Sequence, residues 1–282
     1  MSIENEALER ARWLIAARTT GIHRHLLDTA IRQLECDAAA RGAAPWAELP
    51  VAVHLGLRGQ AGQAQGLAAV TTLLEAGLTL AGGGMEARQA AASVVRDLAP
   101  AGISCLDAPG HRLGAMQDAL PDRPFAIPAT GREFALYSRL AALLAGASVE
   151  VVDLCGRLGS SLGAGLELAG EFEDMFQKPD SSALRRGVRT LPVALHLQAL
   201  EGPERVRFLQ LLEIAVEQAE ARDIVRRRLL VAGIANRCRM LIEAHCRRAR
   251  MDLMALRPID PGGRQIRELI AAVRQPALNL AS

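Results

Sequence analysis

Aromatic side chains are nearly absent: Phe, Trp and Tyr together make up 3% of the 282 residues. A chain this poor in rings has no platform on which bases could stack, and a net charge of +2 leaves no basic excess to neutralise a phosphate backbone. Nucleic acid is therefore not expected as a partner. Lysine is almost missing as well. Lys178 is the one lysine, and arginine carries nearly all the positive charge, a bias of the kind that genome composition produces. The five cysteines (Cys36, Cys105, Cys155, Cys238, Cys246) are odd in number and form no CxxC pair, which argues against a disulfide frame or a zinc knuckle and for a reducing compartment. His23 with His25, or His245 with Cys246, would point to different faces of a helix, so they read as surface or core residues rather than metal ligands. The first twenty residues carry early acids rather than a basic stub before an apolar run, so no signal peptide is read. The longest small-residue run, 61–85, is interrupted by Gln63, Gln65 and Glu75, so no integral membrane segment is expected. The expectation is a cytoplasmic protein.

What is abundant is Ala, Leu, Val and Gly at helical spacing. Half of the residues are apolar and 23% are charged, a globular balance. Residues 4–40 read as two amphipathic helices broken near Thr19–Gly21, with Gly42 and Pro45 ending that unit. A short apolar run at 51–57 is the nearest approach to a strand. Helical spacing resumes from Gln63 to Leu80 and stops at Gly82-Gly83-Gly84, since each glycine weakens a helix by about 1 kcal/mol relative to alanine. Residues 86–98 and 112–119 are again helical. The loop 99–112 holds Cys105, Asp107 and His111, a grouping read as incidental. Residues 121–128, with three prolines, read as a connection. Strong helical patterns return at 133–147 and 149–175, then at 192–200, 204–222 and 223–256. A closing loop at 258–263 leads to a last short helix. No composition shift marks a linker, so residues 1–282 are expected to form a single all-α domain of about ten or more helices.

Two stretches carry chemistry. In the helix around 162–176, Glu167, Glu171 and Asp174 are spaced i, i+4, i+7, which lines three carboxylates on one face. Like charges at this spacing repel by a few tenths of a kcal/mol. Such a stripe is either a solvated acidic face or a hard-cation site, because paired carboxylates are what Mg²⁺ uses when a diphosphate supplies further oxygens. Downstream, Lys178, Arg185, Arg186 and Arg189 gather just before Thr190-Leu191-Pro192. Cations opposite a carboxylate stripe suit a diphosphate; alone, such a loop is a solvent-facing one.

The spacings resemble those of the trans-isoprenyl diphosphate synthase (polyprenyl synthetase) family. Its second half carries GxxxGxxFQxxDDxxD followed by KPxxxDLxxGKxTLP. Here Gly159, Gly163, Leu166, Glu167, Gly170, Glu171 and Asp174 stand at the first set of spacings. Lys178, Pro179, Ala183, Leu184, Gly187, Val188, Thr190, Leu191 and Pro192 stand at the second. Arg139 matches the lysine of the family's KTAxL motif, Arg58 in HLGLRG resembles the arginine region of its GKRLRP loop, and 68–86 aligns with the helix that ends in the first DDxxD. The resemblance spans roughly residues 45–200. It implies an all-α isoprenoid synthase fold around a central cavity, commonly dimeric. Chain length in that family is set by bulk before the first acidic motif, and the small or medium Gly77, Leu78 and Thr79 leave room for a deep cavity.

The departures bear on function. The first acidic motif reads Gly82-Gly83-Gly84-Met85-Glu86 and keeps one carboxylate of three. The second keeps Glu171 and Asp174, while the motif Gln is Glu167, the Asp of the DL pair is Ala183 and the GK lysine is Val188. Glycine offers no side-chain oxygen, so half of the family's metal cage is missing and ordinary chain elongation is not expected. The resemblance then implies a non-catalytic relative: a partner subunit of an intact prenyl synthase, or a protein that binds an isoprenoid in an inherited cavity. The alternative is an active, divergent prenyltransferase or terpene-synthase-like enzyme acting on an allylic prenyl diphosphate with Mg²⁺. In that case Glu167, Glu171, Asp174 and Glu86 would be the metal ligands, with Glu171 and Asp174 catalytic, and Arg58, Arg139, Lys178, Arg185, Arg186 and Arg189 would hold the substrate. A homodimer, or a heterodimer with an intact synthase, is implied in either case. An unrelated helical scaffold is the remaining reading of the pattern.

Overall fold

Alanine-rich sequence with leucine at i, i+3 and i+4 has a strong helical preference and an apolar stripe to bury. A computed structural model of the protein describes residues 3–41, 43–121 and 130–279. Among these residues every regular element is helical. In chain order the helices are α1 (Ile3–Arg18), α2 (Gly21–Arg41), α3 (Pro45–Gly56), α4 (Ala61–Ala81), α5 (Met85–Ser93), α6 (Ala99–Ser104), α7 (Gly110–Asp118), α8 (Thr130–Ala145), α9 (Val149–Phe176), α10 (Ser182–Arg185), α11 (Leu191–Ala199), α12 (Gly202–Glu217), α13 (Ala219–Val231), α14 (Ile234–Leu256) and α15 (Gly262–Asn279). A π-helical turn, Val94–Leu98, joins α5 to α6.

Several sequence-based expectations need correction. The apolar run 51–57, too short to read as a convincing strand, lies within and just after α3. Pro45 opens that helix in its first turn, where a missing N–H removes no hydrogen bond. The loop expected at 99–112 begins with α6, which tolerates Pro100 for the same reason. The stretch 204–222 is broken at Gln218, whose backbone is extended. The stretch 223–256 is broken at Gly233, which takes a left-handed φ of 71°. The last helix is 18 residues long rather than short. Residues 122–129, the core of the expected proline-rich connection, lie outside the described residues.

The chain divides into two compact units. The first comprises residues 1–163 and 249–269, the second 164–248 and 270–282; α9, α14 and α15 contribute to both. In the first unit α4 is the hub, packed against α1, α2, α3, α5 and α6, while α3 also packs on α8. Leu67, Leu73, Ala68 and Ala76 of α4 are fully buried, and each such leucine contributes about 1.5–3 kcal/mol of burial. This helix is long and apolar enough to cross a bilayer, but 72% of its apolar window is buried inside the protein, as befits a core helix.

Close approach of α8 to α9 depends on glycine. A Cβ at Gly163 would overlap the Thr130 carbonyl, and one at Gly159 would stand 2.7 Å from the Phe134 carbonyl carbon. In the second unit α13 packs on α11 and α12, and α10 packs on α12. Leu168, Phe172, Met175, Phe208, Val225 and Leu229 supply its buried apolar groups.

These contacts predict opposite outcomes for one substitution at two sites on α9. Gly163→Ala is expected to lower stability by about 2 kcal/mol through overpacking. Gly170→Ala, where a Cβ meets nothing within 4 Å, is expected to raise it by about 0.5–1 kcal/mol through helix propensity. Thermal melts of the two variants check this.

Candidate functional site

The 3.6-residue period of α9 places Glu167, Glu171 and Asp174 along one face, and the fold gives the three carboxylates different surroundings. Glu167 is exposed and Glu171 is half-buried, whereas Asp174 is only 8% exposed. Both Asp174 oxygens are fully engaged. Oδ1 accepts the Ser182 amide at 3.1 Å and the Ser182 hydroxyl at 2.8 Å; Oδ2 accepts the Ser181 hydroxyl at 2.6 Å and the Ala183 amide at 3.1 Å. A carboxylate has about four lone-pair directions, and four donors fill them. Burial alone would raise the pKa of Asp174. The donors outweigh it and hold the carboxyl below its ordinary value.

Glu171 has a different task. Its Oε2 accepts the Leu191 amide at 2.8 Å, which caps the N-terminus of α11. Thr190, the residue placed to cap that helix, is 3% exposed and its hydroxyl has no partner. Burial raises the Glu171 pKa, the Leu191 amide opposes this, and the Glu167 charge adds to the rise.

The basic stretch after α9 is held largely by arginine side chains of α13. Arg226 of α13 donates to the carbonyls of Met175 (2.9 Å), Lys178 (2.7 Å) and Pro179 (3.1 Å). Arg222 bonds Asp180 at 2.5 Å and the Ala215 carbonyl at 2.9 Å. Arg185 also faces Asp180 at 3.5 Å, and Arg186 turns back to the Ser182 carbonyl at 3.3 Å. Lys178 and Arg189 are exposed. Sequence reasoning selected the exposed cations and missed Ser181, Ser182, Arg222 and Arg226, which order the segment. A serine pair directly after an acidic helix end is the one local signal that could have pointed to them.

The remaining sequence-selected residues lie in the first unit. Arg139 is paired with Asp153 at 3.0 Å, both half-exposed. Arg58 is exposed and takes a left-handed φ of 63° in the turn after α3. Glu86 is exposed in the first turn of α5. Gly82 and Gly84 have ordinary negative φ, and a Cβ on either would meet nothing within 4 Å; at Gly83 it would stand 2.8 Å from the Ala87 methyl. The lost carboxylate at 82 is thus a matter of sequence and not of space.

Where the small residues Gly77 and Leu78 leave room for a cavity, α4, α5 and α8 enclose a void of only about 10 Å³, lined by Leu74, Gly77, Leu78, Ala91, Val95, Leu136 and Tyr137. That is space for roughly one water molecule. The Tyr137 hydroxyl donates to Glu75 at 2.8 Å beside it. Among the described residues, neither unit brings three His, Cys, Asp or Glu side chains together to hold a metal ion. Within the second unit the acidic stripe offers a Mg²⁺ ion little, since four donors occupy the Asp174 oxygens and Glu167 stands in solvent; within the first, Gly82 and Gly83 have no side-chain oxygen and Glu86 is exposed.

No family model matches the chain. It is 30% identical over 148 residues to a nonaprenyl diphosphate synthase of Mycobacterium tuberculosis, a stretch covering 50% of this chain and 43% of that protein. The match therefore spans less than half of the relative's length. Among solved structures, the fold is similar to a geranylgeranyl pyrophosphate synthetase from Pyrococcus horikoshii (TM-score 0.72, 14% identity, 96% of this chain and 95% of that one). It is also similar to a decaprenyl diphosphate synthase from Rhodobacter capsulatus (TM-score 0.62, 14% identity, 96% of each chain). A geranylgeranyl pyrophosphate synthase from Corynebacterium glutamicum, complexed with calcium and isoprenyl diphosphate, gives a TM-score of 0.63 at 19% identity over 96% of each chain. The expected all-α isoprenyl synthase fold is present.

The two carboxylates are predicted to respond oppositely to amidation. Asp174→Asn places an N–H₂ group against donors and removes charge-assisted bonds, so it is expected to lower stability by about 2–3 kcal/mol near neutral pH. Because the folded pKa of Asp174 lies below its unfolded value, that contribution is present above the ordinary carboxyl range and lost as pH falls through the folded value. Glu171→Gln keeps an acceptor for Leu191 and removes a charge that burial and Glu167 disfavour. It is expected to be neutral or stabilising, since the folded pKa is raised and the ionised form is the costly one. Denaturant titrations of both variants across acid and neutral pH check the signs. A second comparison concerns the glycines: Gly82→Asp is expected to leave the melting temperature nearly unchanged, whereas Gly83→Asp lowers it by several degrees through the Ala87 contact.

Proposed function

We propose, from the premise that this chain is a divergent member of the trans-isoprenyl diphosphate synthase family, that it is a non-catalytic subunit associating with an intact prenyl diphosphate synthase. The observation that carries the reading is the saturated carboxylate of Asp174. A side chain whose four acceptor directions are taken by Ser181, Ser182 and Ala183 serves as a scaffold, and a metal would have to break that network to use it. Three features support the same reading. The 82–86 segment has one carboxylate. Glu171 is used as a helix cap. The void near Gly77 is about 10 Å³, far below the roughly 300–1,000 Å³ typical of ligand pockets, which favours a subunit over an isoprenoid carrier using that cavity.

What such a subunit could contribute follows from its residues. Arg222, Arg226 and Asp174 anchor residues 175–183, beside which Arg185, Arg186 and Arg189 are exposed cations. The same reading takes residues 1–282 as one isoprenoid-synthase-like domain, in line with neighbours that align with 96% of the chain. It places the protein in the cytoplasm and has it assemble as a heterodimer with the intact enzyme or as a homodimer. An active divergent prenyltransferase using Mg²⁺ and an allylic prenyl diphosphate is the competing reading.

The test separates them. The purified chain, given geranyl, farnesyl or geranylgeranyl diphosphate with and without isopentenyl diphosphate and Mg²⁺, is expected to release no diphosphate. It is expected to co-purify with an intact synthase from the cells that make it. Diphosphate release that Glu171→Gln abolishes would establish the enzyme instead, and that variant is informative because its fold is expected to be intact.

A further inference from the structure

The second unit carries a groove that the family-derived motifs do not touch. It has a volume of about 620 Å³ and is lined by His196 and Leu200 from the α11 end, Glu204 and Arg207 of α12, Ile224, Arg227, Arg228 and Val231 of α13, and Ala232. Residues 224, 227, 228 and 231 are spaced i, i+3, i+4, i+7, so one face of α13 alternates apolar and cationic groups along the groove. Its size falls within the range of small-ligand pockets.

The chemistry of the lining is specific. Arg207 and Arg228 are exposed and enter no ion pair among the described residues, and Arg227 makes only a 3.4 Å contact to the Asp223 carbonyl of its own helix. Glu204 is the single carboxylate in the lining. Three other arginines of this unit are paired: Arg222 on Asp180, Arg226 on three carbonyls and Arg274 on Glu243. His196 is 8% exposed and packed edge-on against Phe208 with ring centroids 4.6 Å apart. Its Nδ1 is buried without a partner. Placing the ring proton on Nε2 leaves only an acceptor orphaned in the interior and directs an N–H toward the groove that His196 lines. Burial and Arg228 lower the pKa of the ring. On the apolar side, Val231 is 91% exposed and Ile224 40%, which leaves apolar surface open at the groove.

We propose that this groove binds a phosphate or diphosphate monoester carrying an apolar chain, with the anion held by Arg207, Arg227, Arg228 and the His196 ring and the chain lying on Leu200, Ile224 and Val231. Guanidinium groups match phosphate oxygens in paired hydrogen bonds, and three of them against one carboxylate leave net positive charge for a dianion. The proposal is independent of whether the chain is a subunit or an enzyme.

Isothermal titration of the full chain with octyl phosphate, inorganic diphosphate and octanol tests it. Octyl phosphate is expected to bind, octanol not. Arg207→Gln with Arg228→Gln is expected to weaken octyl phosphate by at least about tenfold, with an unchanged circular dichroism spectrum because both side chains are exposed. Val231→Ser is expected to weaken octyl phosphate a few-fold while leaving inorganic diphosphate unaffected. Co-sedimentation with phosphatidylcholine vesicles doped with phosphatidic acid, lost in the double variant, would assign the phosphate to a membrane headgroup; no sedimentation would assign it to a free molecule. Absence of octyl phosphate binding, or equal binding by the double variant, overturns the proposal.

Discussion

Four hydrogen bonds converge on the carboxylate of Asp174, and the second unit is organised around them. The amides of Ser182 and Ala183 and the hydroxyls of Ser181 and Ser182 would otherwise be donors at the start of a four-residue helix too short to satisfy itself. Once that turn is anchored, Arg226 can collect the carbonyls of Met175, Lys178 and Pro179, and Arg222 can reach Asp180. Glu171, one turn earlier on α9, caps α11 from the same helix face. Two carboxylates of this helix face, Glu171 and Asp174, thus serve as backbone anchors.

This reuse has a simple electrostatic logic. Two of the family's acidic positions on this helix stripe retain carboxylates, and Glu167 adds a third. Carboxylates at this spacing repel. The fold answers by giving the buried one an excess of donors, leaving Glu171 partly exposed on a single amide and letting Glu167 reach solvent. The opposite directions in which Asp174 and Glu171 shift from ordinary carboxyl values record that division. Gly82 and Gly84 stand in open space with ordinary backbone angles, so nothing around them demands glycine.

Glycine matters where helices touch. At Gly159 and Gly163 the α8 backbone lies where a side chain would be, and small residues along α4 let five helices pack around it. The same tight packing reduces the void at Gly77 to about 10 Å³. Small side chains before the first acidic motif had suggested a deep cavity. Close packing of the neighbouring helices filled it, because a small residue leaves space only if its neighbours do not move in.

Composition and periodicity alone determined the helical class, the breaks at Gly21 and the glycine triplet, and the spacing matches that carry the family resemblance. These are local properties: helix propensity and 3.6-residue periodicity act over a few turns, and motif spacing is preserved by the chain itself. Sequence also placed Glu171 and Asp174 on one helix face. It did not separate the anchored carboxylate from the exposed one, or pick Arg222 and Arg226 out of a chain crowded with arginines. Helix boundaries at Gln218 and Pro45 escaped for a related reason, since both depend on what the flanking segments pack against. Only the tertiary structure decided which charges are satisfied, because a carboxylate's role is fixed by donors that arrive from seven to nine residues away, and an arginine's by carbonyls more than forty residues distant.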